Sequence, residues 1–377
     1  MVNLDDVVQD RLVKIAQEEK LRILPLCLFE DKNHMVFEGK KLISFATNDY
    51  FGLSNDERVK EAAINAIKIY GVGGKSARLI CGNYNLYQQL EENLAQYKKT
   101  EKAVVFGSGY LAAIGVIPAI IGRKDLVVAD KLIHASLLDG IKLSGATLKR
   151  YHHNDYTHCA NILRAERHKY QNCLLISETI FSMDGDLGDV KKLLLLAENN
   201  DSWLLTDDAH GFAIIDYVGS NYAKHNYIQL GTLSKGIGGY GGYVAASKNI
   251  CDYIITKTRS FIYTTALPYP VVAAADRAIT LLRNDHIIIA RLKQNIELFA
   301  EQMGLESQIS PIFTIEFDSI KKLNDVHQSL IKHGFYVGRI RPPTSSTPRL
   351  RISLSASHQI TEIKKLCQAI KKIIRLP

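Results

Sequence analysis

A lysine among small residues is the first feature of this 377-residue sequence that can perform chemistry. Lys235 lies in the segment GTLSKGIGGYGG, with hydroxyls at Thr232 and Ser234 before it and glycines after it. Small neighbours leave room for a bulky group beside the amine, and a lysine amine can form a Schiff base with a carbonyl compound. A single lysine is usually a solvated surface residue, but here a strand end, hydroxyls and glycines coincide. The segment therefore predicts a lysine held for Schiff-base chemistry.

Two glycine-rich segments resemble nucleotide-binding motifs and fit them poorly. Residues 236–241 satisfy the GxGxxG pattern, but the YVAAS that follows is typical of a strand and not of the required helix. The segment GGKS at 73–76 lacks the earlier glycine of a P-loop, because Ile69 occupies that position. The sequence therefore argues against a dinucleotide site and against a nucleoside triphosphate site.

The groups that pyridoxal 5'-phosphate (PLP) requires each have a candidate. This cofactor needs a phosphate pocket, a carboxylate against the pyridine nitrogen, a flat group against the ring and a donor to the phenolic oxygen. The turn at 107–109 leads into a predicted helix, whose first amides can hold a phosphate. Asp207 can face the pyridine nitrogen, His210 can reach the phenolic oxygen and His134 can stack on the ring. Taken singly, each is more often a cap or a structural residue, so the prediction depends on their combination.

A histidine-rich segment, YHHNDYTH at 151–158, invites a metal interpretation that its spacing disfavours. Adjacent His152 and His153 cannot easily point at one ion, and no carboxylate beyond Asp155 has supporting spacing. The six cysteines are scattered without a CxxC pair, which is typical of reduced packing residues. We therefore predict no metal site.

The formal charge of +8 leaves three interpretations open: nucleic-acid binding, an acidic substrate or carrier protein, and a merely soluble surface. Lysines and arginines are spread along the chain without interleaved aromatics, which disfavours nucleic acid. The N-terminal MVNLDDVVQD lacks the basic start and apolar run of a secretory signal. The longest apolar run, 110–121, is shorter than the roughly 20 residues of a membrane helix. We therefore expect a cytoplasmic protein without a nucleic-acid or membrane partner.

Alternating apolar runs and helical patterns between residues 48 and 283 predict the elements that position these side chains. They are typical of α/β proteins, in which helices cover both faces of a mostly parallel sheet. The predicted strands are 103–106, 126–129, 173–177, 203–206, 228–231 and 243–246, and the predicted helices are 86–98, 110–121, 189–199 and 269–283. Glu178, Asp207 and Lys235 each follow a strand, and ligands bind beyond the carboxyl ends of such strands. We expect these groups at one edge of the sheet.

Changes in pattern divide the chain into three predicted segments. Residues 1–45 contain an amphipathic helix, to about residue 24, and a short strand pair near 35–45. Residues 46–285 form the large α/β domain. Residues 286–377 read as helix, strand (313–317), helix (322–333), strand (350–354) and helix, which predicts a small C-terminal α+β domain.

From Arg22 nearly to its end, the sequence resembles the α-oxoamine synthase family of fold-type I PLP enzymes. The matching segments occur in the family's order: NDYFGLS (48–54), FGSGYLAA (106–113), DKLIHASLLDG (130–140), YHHND (151–155), ETIFSMDGD (178–186), TDDAHG (206–211), TLSKG (232–236), YTTALP (263–268) and IRPPTSSTPRLRISLSASH (340–358). IRPPT followed by RLR resembles the 8-amino-7-oxononanoate synthase branch more than glycine C-acetyltransferase or 5-aminolevulinate synthase.

The resemblance implies a role for each matched residue. Lys235 would carry the cofactor, with His134 stacked on its ring, Asp207 on the pyridine nitrogen and His210 on the phenolic oxygen. The other implied cofactor residues are Gly109, Tyr110, Ser182, Thr232 and Thr265, the last in the phosphate pocket of a neighbouring subunit. The implied substrate residues are Arg22, Asn48, His134, Thr344 and Arg351, and Arg351 would bind the amino-acid carboxylate through paired hydrogen bonds.

The resemblance also implies a reaction and a homodimer with active sites at its interface. The reaction is the condensation of L-alanine with a pimeloyl thioester, on coenzyme A or acyl carrier protein, to 8-amino-7-oxononanoate, CO2 and free thiol in biotin biosynthesis. The alternatives are a sister reaction of glycine with a short acyl-CoA, and a non-catalytic partner subunit, against which Lys235 argues. The sequence departs from the family pattern at Lys75, Ser76, Tyr87 and in FAIIDYVGSNY after DDAHG, departures that concern loop shape and acyl-chain fit.

Overall fold

The computed structural model describes residues 2–18, 20–215 and 221–374. The helices are α1 (Leu4–Gln17), α2 (Glu57–Tyr70), α3 (Asn85–Tyr97), α4 (Gly109–Ile120), α5 (Ala135–Ser144), α6 (Tyr156–Glu166), α7 (Val190–Asn199), α8 (Asn221–Asn226), α9 (Lys248–Lys257), α10 (Arg259–Ile262), α11 (Tyr269–Asn284), α12 (His286–Met303), α13 (Ile320–Lys332) and α14 (Ile360–Ile374). The strands are β1 (Cys27–Phe29), β2 (His34–Phe37), β3 (Lys40–Phe45), β4 (Lys102–Phe106), β5 (Leu126–Asp130), β6 (Thr147–Tyr151), β7 (Cys173–Glu178), β8 (Trp203–Asp207), β9 (Tyr227–Thr232), β10 (Gly242–Ala246), β11 (Ile312–Glu316), β12 (Phe335–Ile340) and β13 (Arg349–Ser353). Part of the divergent loop FAIIDYVGSNY lies outside the described residues.

The described residues form two compact units. The larger unit lies within 47–313 and 353–367, and the smaller unit lies within 1–46, 314–352 and 368–377. The smaller unit therefore contains segments from both the N-terminal and the C-terminal parts of the chain. Within it, β3 pairs in parallel with β12. This grouping differs from the sequential division above, in which 1–45 and 286–377 are separate and α12 belongs to the C-terminal segment. The division into three segments stays a prediction of the sequence.

A seven-stranded, mostly parallel sheet forms the centre of the larger unit, as the sequence predicts. Its strand order is β4-β10-β9-β8-β7-β5-β6, and β10 runs antiparallel to both of its neighbours. Strands β5 and β7 are buried along their whole length, because side chains on both faces pack into apolar clusters. The predicted α/β fold with helices on both faces is confirmed.

The register of this sheet aligns the polar ends of its strands. Glu178, the last residue of β7, lies opposite Asp207, the last residue of β8. Asp207 in turn lies opposite Leu230 of β9, shortly before Thr232 and Lys235. The carboxyl ends of three neighbouring parallel strands therefore deliver their polar residues to one edge.

The other sheet has six strands in the order β1-β2-β3-β12-β13-β11. Strands β1, β2 and β3 form an antiparallel meander. Met35, Leu42 and Ile331 form a small buried cluster in the smaller unit. No helix within the described ranges is long and apolar enough to cross a membrane.

His327 makes the smaller unit sensitive to acid. Its side chain is only 5% exposed, packs edge-to-face on Tyr336 and leaves Nδ1 without a hydrogen-bond partner. Burial, with a smaller contribution from the charge of Arg339, lowers the pKa of His327 to about 4. At a pH between about 4 and 6.5, His327 is protonated in the unfolded chain and neutral in the folded protein. Stability is therefore complete above about pH 6.5 and falls as the pH drops toward 4.

We expect the His327 contribution to lower the free energy of unfolding by about 2 kcal/mol between pH 7 and pH 5. Replacement His327→Leu should remove that loss, because leucine binds no proton. Urea denaturation at both pH values measures it, with His333→Leu as the control at an exposed histidine at the end of the same helix. If the free energy of unfolding fell equally between pH 7 and pH 5 in the wild type and in His327→Leu, His327 would not be the source of the acid sensitivity.

Candidate active site

Lys235 begins a chain of hydrogen bonds at the carboxyl edge of the central sheet. Its Nζ donates to His210 Nε2 at 2.7 Å, and His210 Nδ1 lies 2.6 Å from the Tyr50 hydroxyl. That hydroxyl donates to Asn48 Oδ1 at 3.2 Å. The donors and acceptors agree when the histidine proton is on Nδ1. The structure thus brings the predicted residues Lys235, His210 and Asn48 together, and adds Tyr50.

A buried carboxylate, Asp207, stands at the end of β8 beside this chain. Its side chain accepts the N–H of Ala209 at 2.9 Å. Burial raises its pKa above the ordinary value, whereas the charge of Lys235 lowers it. In Glu178, opposite it in the register, burial and the charge of Asp207 raise the pKa well above the ordinary value of a glutamate. Burial therefore favours the protonated form of Glu178, and Asp207, next to the Lys235 charge, is the carboxylate that suits a cationic partner.

His134 caps the N-terminus of α5, just beyond β5. Its Nδ1 accepts the Ser136 N–H at 3.2 Å and lies 2.8 Å from the Ser136 hydroxyl. The surrounding protein and the charge of Lys235 lower the pKa of His134, although part of its ring is open to solvent. These contacts fix the direction of a neutral ring near Lys235, which suits stacking on a flat cofactor.

An anion cradle lies at the start of α4. Ser108 caps this helix by accepting the Leu111 N–H at 3.1 Å. A Cβ on Gly109 would lie 3.3 Å from Thr232 Cβ, so the backbone approaches Thr232 closely because Gly109 has no side chain. The Thr232 and Ser234 hydroxyls are 2.7 Å apart. Free helix amides beside two hydroxyls form a site that suits a phosphate.

The amine, the buried carboxylate and the cradle fit the requirements of PLP taken together. Comparison with known proteins decides the family: the aminotransferase class I and II family matches residues 40–370. The chain belongs to this family.

Curated relatives of this aminotransferase-family chain carry one recurring name. This chain is 38% identical to the 8-amino-7-oxononanoate synthase of Beijerinckia indica over 99% of both chains. It is 40% identical to the 8-amino-7-oxononanoate synthase of Methylocella silvestris over 91% of this chain and all of that one. These relatives identify a PLP-dependent acyltransferase.

Two solved structures share the fold of this chain, and one of them contains the cofactor. Serine palmitoyltransferase from S. paucimobilis, with a bound PLP–myriocin aldimine, superposes with a TM-score of 0.88 at 25% identity, covering 98% of this chain and 97% of that one. The 8-amino-7-oxononanoate synthase of Francisella tularensis superposes with a TM-score of 0.74 at 29% identity, covering 89% and 98%. The chain is a fold-type I enzyme, and its cofactor is PLP.

Three predicted cofactor residues of this family member lie near the sheet edge or on the surface. The Tyr110 side chain is exposed and its hydroxyl donates to Asp139, so its backbone amide is the group available to the cradle. Ser182 lies in the turn after β7. Thr265 is exposed and pairs with Ala77 in an isolated antiparallel bridge. Their cofactor roles stay predictions.

Three predicted substrate residues lie in the smaller unit. Arg22 donates to the Thr344 hydroxyl at 3.3 Å, and both residues are exposed. Arg341 donates to the carbonyl of Leu21, which ties the two segments together. Arg351 is buried in β13. The structure thus brings Arg22 and Thr344 together, and the substrate roles of all three predicted residues stay predictions.

The sequence did not predict an ion-pair clamp around His153. Its Nδ1 lies 2.9 Å from Asp130 and its Nε2 lies 2.6 Å from Asp186. Although burial opposes it, these two carboxylates raise the pKa of His153 to about 10. Asn154 also donates to both carboxylates. The clamp ties the ends of β5 and β6 to the turn that contains Ser182. In the part of the chain that the structure describes, no group of three or more possible ligands is arranged for a metal ion.

The clamp should weaken in alkaline solution. The pKa of His153 is higher in the folded protein than in the unfolded chain, so its stabilisation is complete below about pH 6.5 and is lost as the pH rises through 10. We expect His153→Gln to melt at a lower temperature than the wild type at pH 6.5. At pH 9.5 the difference in melting temperature between the two proteins should be smaller. Thermal melts should show this, with exposed His168→Gln as the control. A deficit that stays constant with pH would contradict a charged clamp.

Proposed function

We propose that this acyltransferase condenses L-alanine with a pimeloyl thioester in the cytoplasm, giving 8-amino-7-oxononanoate, CO2 and free thiol for biotin biosynthesis. The observation that carries the proposal is the chain from Lys235 through His210 and Tyr50 to Asn48, beside the buried Asp207. The names of the curated relatives support the choice of substrates.

Each residue of the site has a separate role in the proposed reaction. When bound, PLP supplies an electron sink for the bonds broken at the amino-acid Cα. Lys235 would take the Cα proton and later return one, and His210, which accepts a hydrogen bond from the Lys235 amine, would hold that amine in position. Arg351 binds the substrate carboxylate in this proposal, and His134 covers the ring face. Asp207 would be the charge that faces the pyridine nitrogen, because the raised pKa of Glu178 favours the protonated form of that residue.

An assay of thiol release tests the substrates. L-alanine, glycine and L-serine are each combined with pimeloyl-CoA, acetyl-CoA and palmitoyl-CoA on the PLP-loaded protein. We expect release with alanine and pimeloyl-CoA above every other pair. A preference for glycine with acetyl-CoA, or for serine with palmitoyl-CoA, would replace the proposed substrates with those of a sister enzyme. Pimeloyl-acyl carrier protein, assayed in parallel with alanine, decides which carrier gives the lower KM.

We also propose that the enzyme is a homodimer in which Thr265 serves the partner's phosphate pocket. Apolar side chains around the Ala77 bridge are unusually exposed, with Ile80 at 79% and Val72 at 71%. Large exposed apolar side chains grouped in this way are typical of an interface. Thr265 pairs with Ala77, which lies between Val72 and Ile80 in the sequence.

Mixed dimers test this arrangement. We expect Thr265→Ala to weaken PLP binding and Lys235→Ala to be inactive. A mixed dimer of the two variants contains one site with an intact Lys235 and an intact Thr265 from the other subunit. Recovery of tight PLP binding after subunit exchange supports the shared site, and a monomer by sedimentation would contradict it.

A further inference from the structure

A buried ion pair lies directly behind the carboxylate that faces the cofactor. Lys98 Nζ is 2.6 Å from Asp208 Oδ2, and the two side chains are 2% and 0% exposed. Asp208 also accepts the Thr179 hydroxyl at 2.8 Å and the Tyr243 hydroxyl at 3.3 Å. Burying two charges costs about as much as their attraction returns, so stability alone does not explain the pair.

Asp208 holds the turn that carries two cofactor residues. It follows Asp207 directly, and its backbone N–H donates to the Leu230 carbonyl at 2.6 Å. Its carbonyl accepts the Gly211 N–H at 3.1 Å, just after His210. A Cβ on Gly211 would lie 2.4 Å from Asp208 Oδ1, so the turn wraps closely around this carboxylate. The ion pair is therefore part of the frame that directs Asp207 and His210.

Charge gives the pair a second effect. Without Lys98, the Asp208 carboxylate would be a second buried negative charge beside Asp207, and its charge already acts to raise the pKa of Asp207. The low dielectric of the interior makes such a neighbour costly. With Lys98 in place the pair has no net charge, so the Lys98 ammonium offsets part of the effect of the Asp208 anion on Asp207.

We propose that Lys98 is a positioning residue whose ammonium neutralises Asp208, so that Asp207 is the carboxylate charge that the turn presents to the pyridine nitrogen. The inference rests on the proposed role of Asp207. The other titratable groups around this end of the sheet include Glu178, His134, His210, Lys235, Tyr243, Tyr50, Tyr227 and Asp130, and none of them is substituted in the test.

The test compares Lys98→Met, Asp208→Asn and the double variant, each loaded with PLP. The readouts are the pH midpoint of the near-visible absorbance band, which reports the protonated link to Lys235, and the dissociation constant of PLP. Lys98→Met leaves an extra negative charge and should raise the midpoint by about one unit, while Asp208→Asn leaves an extra positive charge and should lower it by about one unit. The double variant should return close to the wild-type midpoint. Lys102→Met, which breaks another 2.6 Å ion pair with Asp252, serves as the control and should leave the midpoint unchanged.

Opposite shifts that cancel in the double variant support the proposal, because a purely structural pair would give losses in one direction. Shifts of the same sign, or no shift, would overturn it. If Lys98→Met does not fold, Asp208→Asn and the double variant still decide the question. Since the midpoint is measured without substrate, failure of the alanine and pimeloyl assay would not produce these shifts. Failure of the Asp207 assignment would show separately, in Asp207→Asn.

Discussion

Lys235→Ala is expected to lower turnover by roughly a thousandfold, because it removes the residue that we propose as both the covalent anchor of the cofactor and the base at the substrate Cα. The amine is held by His210 at 2.7 Å, in a half-buried position, and alanine leaves nothing to take the proton. Thiol release with the preferred substrates measures the loss. The near-visible absorbance and the mass of the borohydride-treated protein show whether PLP is still attached to the chain.

The matched control is Lys248→Ala, which removes an exposed lysine paired with Asp252 and should retain full turnover. PLP should still bind to Lys235→Ala without a covalent link, because the cradle at α4 and the carboxylate of Asp207 remain. If borohydride still traps PLP on Lys235→Ala, another lysine is the anchor and the assignment is wrong.

The central strands could be predicted because both of their faces are covered. The predicted strand 173–177 matches β7 (Cys173–Glu178), and the predicted strand 203–206 matches β8 (Trp203–Asp207). Continuous apolar runs carry this signal. Strand β6 was not predicted because it has no such apolar run. Its sequence, TLKRY, lies at the sheet edge, is largely half-exposed and contains two charged residues. Its place depends on parallel pairing with β5, which a local pattern does not reveal.

The site was predictable where a residue follows a strand and unpredictable where distant segments meet. Asp207 is the last residue of β8, Lys235 and His210 follow strand ends by three residues each, and these positions indicated them. Tyr50 is 160 residues from His210 and, in sequence, cannot be told from an aromatic core residue. Lys98 lies 110 residues from Asp208 and has the sequence context of an ordinary lysine at a helix end.

His153 shows a second limit of prediction from the sequence. Its neighbours in the sequence suggested a metal site, and the structure instead places two carboxylates beside it, one at the end of β5 and one in the segment after β7. Asp130 and Asp186 are 23 and 33 residues away. Only the parallel packing of β5, β6 and β7 brings the three together, so spacing along the chain holds no signal for the clamp.

Asp207→Asn is expected to lower turnover by roughly a hundredfold or more, in line with the loss of an electrostatic partner at the reacting group. Asparagine keeps the shape of the side chain and an oxygen that can accept the Ala209 N–H. What it lacks is the negative charge that we propose for the partner of the pyridine nitrogen. PLP binding should weaken in parallel, which a titration of the apoprotein followed by absorbance measures.

The stability of the same variant separates a functional from a structural carboxylate. Burial raises the pKa of Asp207, so in the apoprotein the charge opposes folding, and Asp207→Asn should leave the apoprotein at least as stable as wild type. Glu178→Gln is the isosteric control at the residue opposite Asp207 in the sheet, and a much smaller loss of turnover is expected because burial raises the pKa of Glu178 and favours its protonated form. An Asp207→Asn apoprotein that melts well below wild type while retaining turnover when loaded would mean that the carboxylate serves the fold, and that the pyridine nitrogen has another partner.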